Sequence, residues 1–336
     1  MTKKGIVLLA CSCIMLTVCT PKKTPQRIHL AGKTQGTYYS IIYYDEQKRS
    51  FDTEIQDLLK SFDMSVSLWE PNSILSRVNR NDTTVILDSI FIKNFNVSKE
   101  MSEQTDGYFD LTVAPLTQAW GFSAKKGNDS LTTLIIDSLK QLVDWRNVSI
   151  VDEKVVKKNP YISLDFNAIA QGYSADLVGE FLNSKGINNY LVDIGGEIVA
   201  RGNKPDGSQW IVGIEKPAET KDSERKVQIR IALKDKALAT SGNYRKYVIR
   251  QGKRYSHSIN PKTGYPVDHN LLSVTVIAEN AIKADALGTA FMIMGMEKAK
   301  EYAQRFQGIE ICLIFENENG NLETFASAGF STLILD

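Results

Sequence analysis

The sequence predicts an α+β fold, with antiparallel sheets carrying inserted helices and no regular strand–helix–strand repeat. Three observations lead there. Beyond Gly186 the chain turns into a succession of extended segments. One of them, with Val227, Ile229, Ile231 and Leu233, alternates as a half-buried antiparallel strand does. Helical periodicity shows in the first half, in the segment from Ala168 to Ser184 and around Asp285.

Taken in order, Phe51, Ile55, Leu58, Leu59 and Phe62 follow an i, i+4, i+7, i+8, i+11 pattern, which predicts an amphipathic helix. A second helix is predicted over Ser89 to Glu103, stopped by Asp106-Gly107. The stretch 105–122, TDGYFDLTVAPLTQAWGF, reads as a loop in which Pro115 closes off any helix, and 125–130 reads as a polar loop. A third helix is predicted from Ala168 to Ser184, with Ile169, Tyr173, Leu177 and Phe181 on one face, Asn167 as its cap and Gly186 as its stop. Strands follow over 190–194, 198–201, 210–215, 227–233, 244–249 and 273–278. The last leads into the helix that carries Asp285, and two or three short strands close the chain.

The N-terminus reads as a secretion leader. Lys3 and Lys4 precede an apolar stretch, Ile6 to Val18, that is short for a bilayer span. It ends at Leu16-Thr17-Val18-Cys19, similar to the box at which a bacterial signal peptidase cuts before a lipid-modified cysteine. The alternatives are a box ending at Cys11 and an uncleaved anchor helix. The expected organisation is a leader over 1–18, a lipid-anchored tether over 19–27 beginning at Cys19, and one domain over 28–336. Cys11, Cys13 and Cys19 all fall in the leader region, so Cys312 is the sole cysteine of the body. It lies in an apolar run and reads as a small buried hydrophobe. A formal net charge of +1, with no basic block outside the leader, excludes a general nucleic-acid binder.

Chemistry concentrates between Thr240 and Ala290. His257, one of three histidines, stands in a loop punctuated by Pro261, Gly264 and Pro266. Asp285 and Thr289, four apart on a helical segment, share one face. Two such oxygens suit a hard cation that takes its other ligands from water and phosphate. The neighbours of Asp285 are apolar, so its carboxylate needs a partner, either a metal or a distant arginine; a helix cap, or a buried polar pair with Thr289 inside the helix, is the other reading. Trp69 precedes a Glu-Pro turn as a semi-exposed aromatic. Tyr108, Phe109, Trp120 and Phe122 are either plugs of a packed loop or a platform for a flat ring. The segment DFNAIAQG, 165–172, runs into a helix start whose free N–H groups suit a phosphate. Gly195-Gly196 lacks both the dinucleotide spacing and the P-loop lysine, and no HExxH, GxSxG or CxxC is present.

Eight ordered blocks together carry a resemblance: GKTQGTYYSI at 32–41, SLWEPNSILSRVN at 67–79, 105–122, LDFNAIAQGYSAD at 164–176, YLVDIGGEIVARG at 190–202, TSGNYRKY at 240–247, HSINPKTGYPV at 257–267 and ADALGTA at 284–290. They resemble the ApbE-type FAD:protein FMN transferases. The resemblance implies an α+β fold with a T-fold-like part, and an exported enzyme, lipid-anchored to a bacterial membrane on the periplasmic face of the inner membrane. It implies FAD as substrate and Mg2+, or Ca2+, as the cation. FMN would pass from FAD to a serine or threonine of an acceptor flavoprotein, such as a subunit of a membrane redox pump, with release of AMP.

By position, Asp285, Thr289 and the carbonyl of Ala168 would hold the metal. Gln35, Trp69, Tyr108, Phe109, Asp110, Asp165, Gln171 and Ile259 would line the FAD site. Asp285 and His257 would be catalytic, His257 either as the base for the acceptor hydroxyl or as a group that only positions substrate. The chain departs from the family pattern where Trp69 replaces tyrosine, Gln35 methionine, Asn167-Ala168 a Gly-Gly pair, Gln171 a lysine and Asn260 an aspartate. Two other functions fit the same residues: an FAD pyrophosphatase, in which water attacks, and a lipoprotein that only binds FAD.

Overall fold

Among the described residues, an eight-stranded, wholly antiparallel sheet organises the chain, its strands in the spatial order 26–34, 37–45, 190–194, 197–201, 236–242, 271–278, 310–316 and 322–326. The computed structural model describes residues 24–335 except 124–126, 129, 219–223, 225, 245, 246 and 251. The predicted leader, Cys19 and most of the tether lie outside the described residues.

The chain opens with the hairpin β1 (Gln26–Thr34) and β2 (Thr37–Asp45), to which the sequence pattern assigned no element. Its two-residue turn holds both Gln35 and Gly36 at positive φ, 51° and 72°, as a tight hairpin turn matched to strand twist requires. Helices follow: α1 (Asp52–Val66), α2 (Ile74–Asn79), α3 (Ser89–Gln104), α4 (Ala114–Trp120) and α5 (Thr133–Lys140). The small hairpin β3 (Val148–Val151) and β4 (Lys154–Lys157) precedes α6 (Ala170–Ser184). Then come β5 (Tyr190–Ile194), β6 (Glu197–Arg201), β7 (Trp210–Glu215), β8 (Val227–Leu233), β9 (Lys236–Gly242), and the hairpin β10 (Tyr247–Arg250) and β11 (Lys253–Ser256). The chain closes with β12 (Leu271–Ala278), α7 (Ala281–Met294), α8 (Met296–Ala303), β13 (Glu310–Glu316), β14 (Leu322–Ala326), α9 (Ala328–Ser331) and β15 (Ile334–Leu335).

Both faces of the central sheet are covered, and the alternation along its strands sorts the core. Val274, Val276, Ile311 and Leu313 point to the helical side with Leu287 and Phe291 of α7. Ile277, Cys312 and Ile314 point to the other side, where β7, β8 and β15 form a second sheet around Trp210, Ile231 and Phe330. A strand covered on both faces reads as a continuous apolar run, which is how β12 and β13 appear in the sequence. Cys312 is fully buried there, and burial pushes its thiol up to about 12, so it behaves as the small hydrophobe expected.

Three expectations need correction. Pro115 does not close off a helix but stands in the first turn of α4, where its missing N–H removes a donor that has no intrahelical partner. Asn167 does not cap α6. The helix starts at Ala170, and the N–H of Asn167 donates to Asp165 Oδ1 at 2.8 Å, so Asp165 makes the turn. The strand expected over 244–249 is observed as β10, with residues 245 and 246 outside the described residues, and β9 was not foreseen. Of the loop expected over 125–130, only Gly127, Asn128 and Ser130 are described. Among the described residues, no helix is long and apolar enough to cross a membrane.

Candidate functional site

The helix-start segment and the Asp285 helix, 113 residues apart in sequence, meet at the crossing of α6 and α7. Gly172 makes this possible: a Cβ there would lie 2.3 Å from the carbonyl oxygen of Ala281 and 2.8 Å from Asp285 Cβ. The bare backbone lets the Gly172 N–H donate to Asp285 Oδ2 at 3.0 Å. Asp285 is 7% exposed and sits mid-helix, so the cap reading fails; the cap of α7 is Asn280, whose Oδ1 accepts the Lys283 N–H at 3.1 Å. Thr289 is half-buried one turn further on, in a helix otherwise buried from Ala284 to Ile293. Ala168 is half-buried in the turn before α6.

The donors here are a carboxylate, a hydroxyl and a carbonyl, all hard oxygens. Among the described residues no three His, Cys, Asp or Glu side chains gather as a metal cage. A donor set of this kind would suit a hard cation that takes most of its shell from water and phosphate, as Mg2+ does.

The remaining predicted residues lie at different depths. Asp165 is buried, and burial pushes its carboxyl above the usual range although it accepts from the Asn167 N–H and, at 3.1 Å, from Thr117 Oγ1 of α4. Asp110 is likewise buried and pushed up, its oxygens taken by the N–H and hydroxyl of Thr112 and by the Trp145 N–H at 3.1 Å. Phe109 is 3% exposed in the main core. Gln35 rests on α6 through Ser174, whose Oγ lies 3.3 Å from Gln35 Oε1 and 2.8 Å from the Gln171 carbonyl. Among the described residues, Gln35 Nε2 is buried without a partner. Gln171 Nε2 lies 3.0 Å from the place a Cβ on Gly195 would take, so the β5–β6 turn admits the glutamine because it carries glycine there.

Trp120 is buried with its Nε1 donating to the Gly264 carbonyl at 2.9 Å, and Tyr255 and Tyr265 pack against its ring. Of the four aromatics, then, Phe109 and Trp120 are packed plugs, while Tyr108 and Phe122 are half-buried. Phe122 meets the half-buried His257 edge-on, ring centres 6.3 Å apart. Tyr108 has the ammonium groups of Lys262 and Lys298 at 4.4 and 4.9 Å from its ring centre, and Lys298 also donates to its hydroxyl at 2.7 Å.

Ile259 is buried and bridges to Pro266. Between them Asn260 Oδ1 accepts the Lys262 N–H at 2.9 Å, a bond that needs only an oxygen acceptor. The asparagine therefore keeps the turn while giving up the negative charge. Trp69 stands 57% exposed on the turn after α1, whose Phe62 packs edge-on against Tyr173 of α6.

Two residues escaped the sequence reading although both lie in a quoted block. Gly172 and Asp176 stand four apart on α6 and so share a face. Asp176 accepts the N–H groups of Ala281 and Ile282, each at 2.9 Å. A carboxylate one turn after a glycine was the available signal.

The same crossing is embedded in a chain that is similar to known proteins over almost its whole length. The family model described as "ApbE family" matches residues 35–313. An FAD:protein FMN transferase of Haemophilus influenzae is 34% identical over 339 residues, covering 96% of each chain. Among solved structures, the flavin transferase ApbE from Vibrio cholerae superposes with a TM-score of 0.81 at 32% identity, covering 92% of this chain and 99% of that one. The apo flavinyl transferase ApbE of Pseudomonas stutzeri gives 0.80 at 32%, covering 92% and 97%. Fold and sequence agree on one assignment, and the chain belongs to the ApbE family.

Proposed function

We propose that this chain is an FAD:protein FMN transferase, which moves the FMN half of FAD onto a serine or threonine of an acceptor flavoprotein and releases AMP. The observation that carries this reading is the α6–α7 crossing, where the start of α6 meets the Asp285 carboxylate; Ala168, just before α6, and Thr289, one turn on from Asp285, would add their oxygens to it. It is supported by the full-length likeness to relatives that carry this name. When bound, Mg2+ would neutralise pyrophosphate charge and that of the departing AMP.

Phosphoryl transfer asks the protein mainly for position and charge balance. The acceptor oxygen bonds to the FMN-side phosphorus as the pyrophosphate P–O bond breaks, and the bridging oxygen leaves with AMP. The acceptor proton goes to His257, imidazole being the side chain best suited to general-base work at physiological pH. Trp69, exposed on its turn, would stack on a flat ring, and Gln35, Gln171 and Tyr108 would offer polar groups to the flavin nucleotide. Phe109, Asp110, Asp165 and Ile259 act from buried positions and shape the walls. Cys19 is the proposed lipid attachment, the protein then facing the periplasm from the inner membrane, and a redox-pump subunit is the proposed acceptor.

The test is direct. The full chain in detergent is incubated with FAD, Mg2+ and an acceptor domain carrying the family's target threonine, then denatured and run on a gel. Flavin fluorescence on the acceptor is the expected result; an unlabelled acceptor overturns the proposal.

A further inference from the structure

We infer that Asp176 is a positioning residue of the candidate site, because it closes a two-rung ladder that sets α7 against α6. The inference rests on the cation reading of Asp285, Thr289 and Ala168. One rung is the Gly172 N–H on Asp285 Oδ2 at 3.0 Å. The other runs the opposite way, from the Ala281 and Ile282 N–H groups to the two oxygens of Asp176 at 2.9 Å each. Gly172 and Asp176 are one turn apart on α6, as are Ala281 and Asp285 on α7. Each helix thus has N-terminal donors taken by the other helix's carboxylate.

The arrangement exceeds what capping needs. Helix α7 already has its own cap in Asn280, while α6 has no capping side chain and relies on Asp285. Nor is stability the evident reason for an ionised group here. Asp176 is half-buried, and burial pushes its carboxyl up to about 6 despite the two N–H donors and Lys93 nearby. What the second rung adds is registration. Ala168 precedes α6 while Asp285 and Thr289 ride on α7, so the donor set spans both helices. A slip of one residue along a helix is about 1.5 Å, whereas metal–oxygen distances tolerate only about 0.2 Å.

The test uses the full chain, Mg2+ alone as the varied ligand and FAD anisotropy as the readout, with melting temperature followed in parallel. Asp176→Asn keeps size but offers one oxygen where two are used. It is expected to raise the Mg2+ concentration for half-maximal FAD binding at least tenfold, with little change in melting temperature without metal. Asn280→Ala removes the local cap of the same helix; it is expected to lower the melting temperature and leave the Mg2+ midpoint within twofold. The inference is overturned if Asp176→Asn leaves the midpoint within twofold, or if Asn280→Ala shifts it equally. A wild-type chain that binds FAD without any response to Mg2+ overturns the inference together with the cation reading. Loss of the ladder alone is recognised by a wild type that does respond.

Discussion

At the scale of single residues, the chemistry depends on which polar groups are held and which are left costly. Asp285→Ala removes the carboxylate of the proposed cation and the acceptor of the Gly172 N–H together; Mg2+-dependent labelling of the acceptor should vanish, and labelling that persists with its metal dependence intact would show the ligand to lie elsewhere. His257→Ala should lower turnover at saturating acceptor by about 10²-fold or more, the range for a lost general base, whereas near-normal turnover assigns His257 to positioning alone. Asp63, on α1, supplies a pH test. Burial and the neighbouring Glu70 raise its carboxyl from 3.8 to about 6. A folded-state value above the unfolded one means that the stabilising protonated form is complete below about pH 4 and lost as pH rises through about 6. Asp63→Asn should therefore match wild type near pH 4 and be more stable at pH 7.5. Partial exposure limits the gain to about 1 kcal/mol, and urea melts at the two pH values check it.

At the scale of elements, the crossing of α6 and α7 is the part most sensitive to substitution. Gly172→Ala would drive a methyl into the Ala281 carbonyl. The overpacking should cost about 3 kcal/mol and move Asp285, so both the denaturant midpoint and FAD binding should fall; a change in neither would mean that the helices do not meet as described.

How legible these elements were follows from their patterns. α1 and α3 were readable because one face is apolar at helical spacing. The β1–β2 hairpin was not, because in TYYSIIYYD tyrosine and isoleucine occupy both faces, although only Tyr39, Ile41, Tyr43 and Asp45 are buried. β9, KALATSG, is built of small residues with weak strand preference and is held by its neighbours β6 and β12. α4 was hidden by reading Pro115 as an end when it stands at a beginning.

At the scale of the whole molecule, the α+β class was readable from the antiparallel alternation, but the second sheet over β12 and β13 was not. Their two apolar faces look alike in sequence, and only the pairing of β7, β8 and β15 decides what covers each. The site is legible in the same partial way. Asp285 and Thr289 share a face by spacing alone, while Asp176 and Gly172 gain meaning only once α7 is laid on α6. Long-range backbone contact leaves little trace in local pattern.

The most direct measurement counts two products in one reaction: AMP released, and flavin that stays on the acceptor after denaturation. The transferase account predicts equal amounts, with both lost in Asp285→Ala. AMP accompanied by free FMN and a bare acceptor would contradict it and make water the nucleophile of this site.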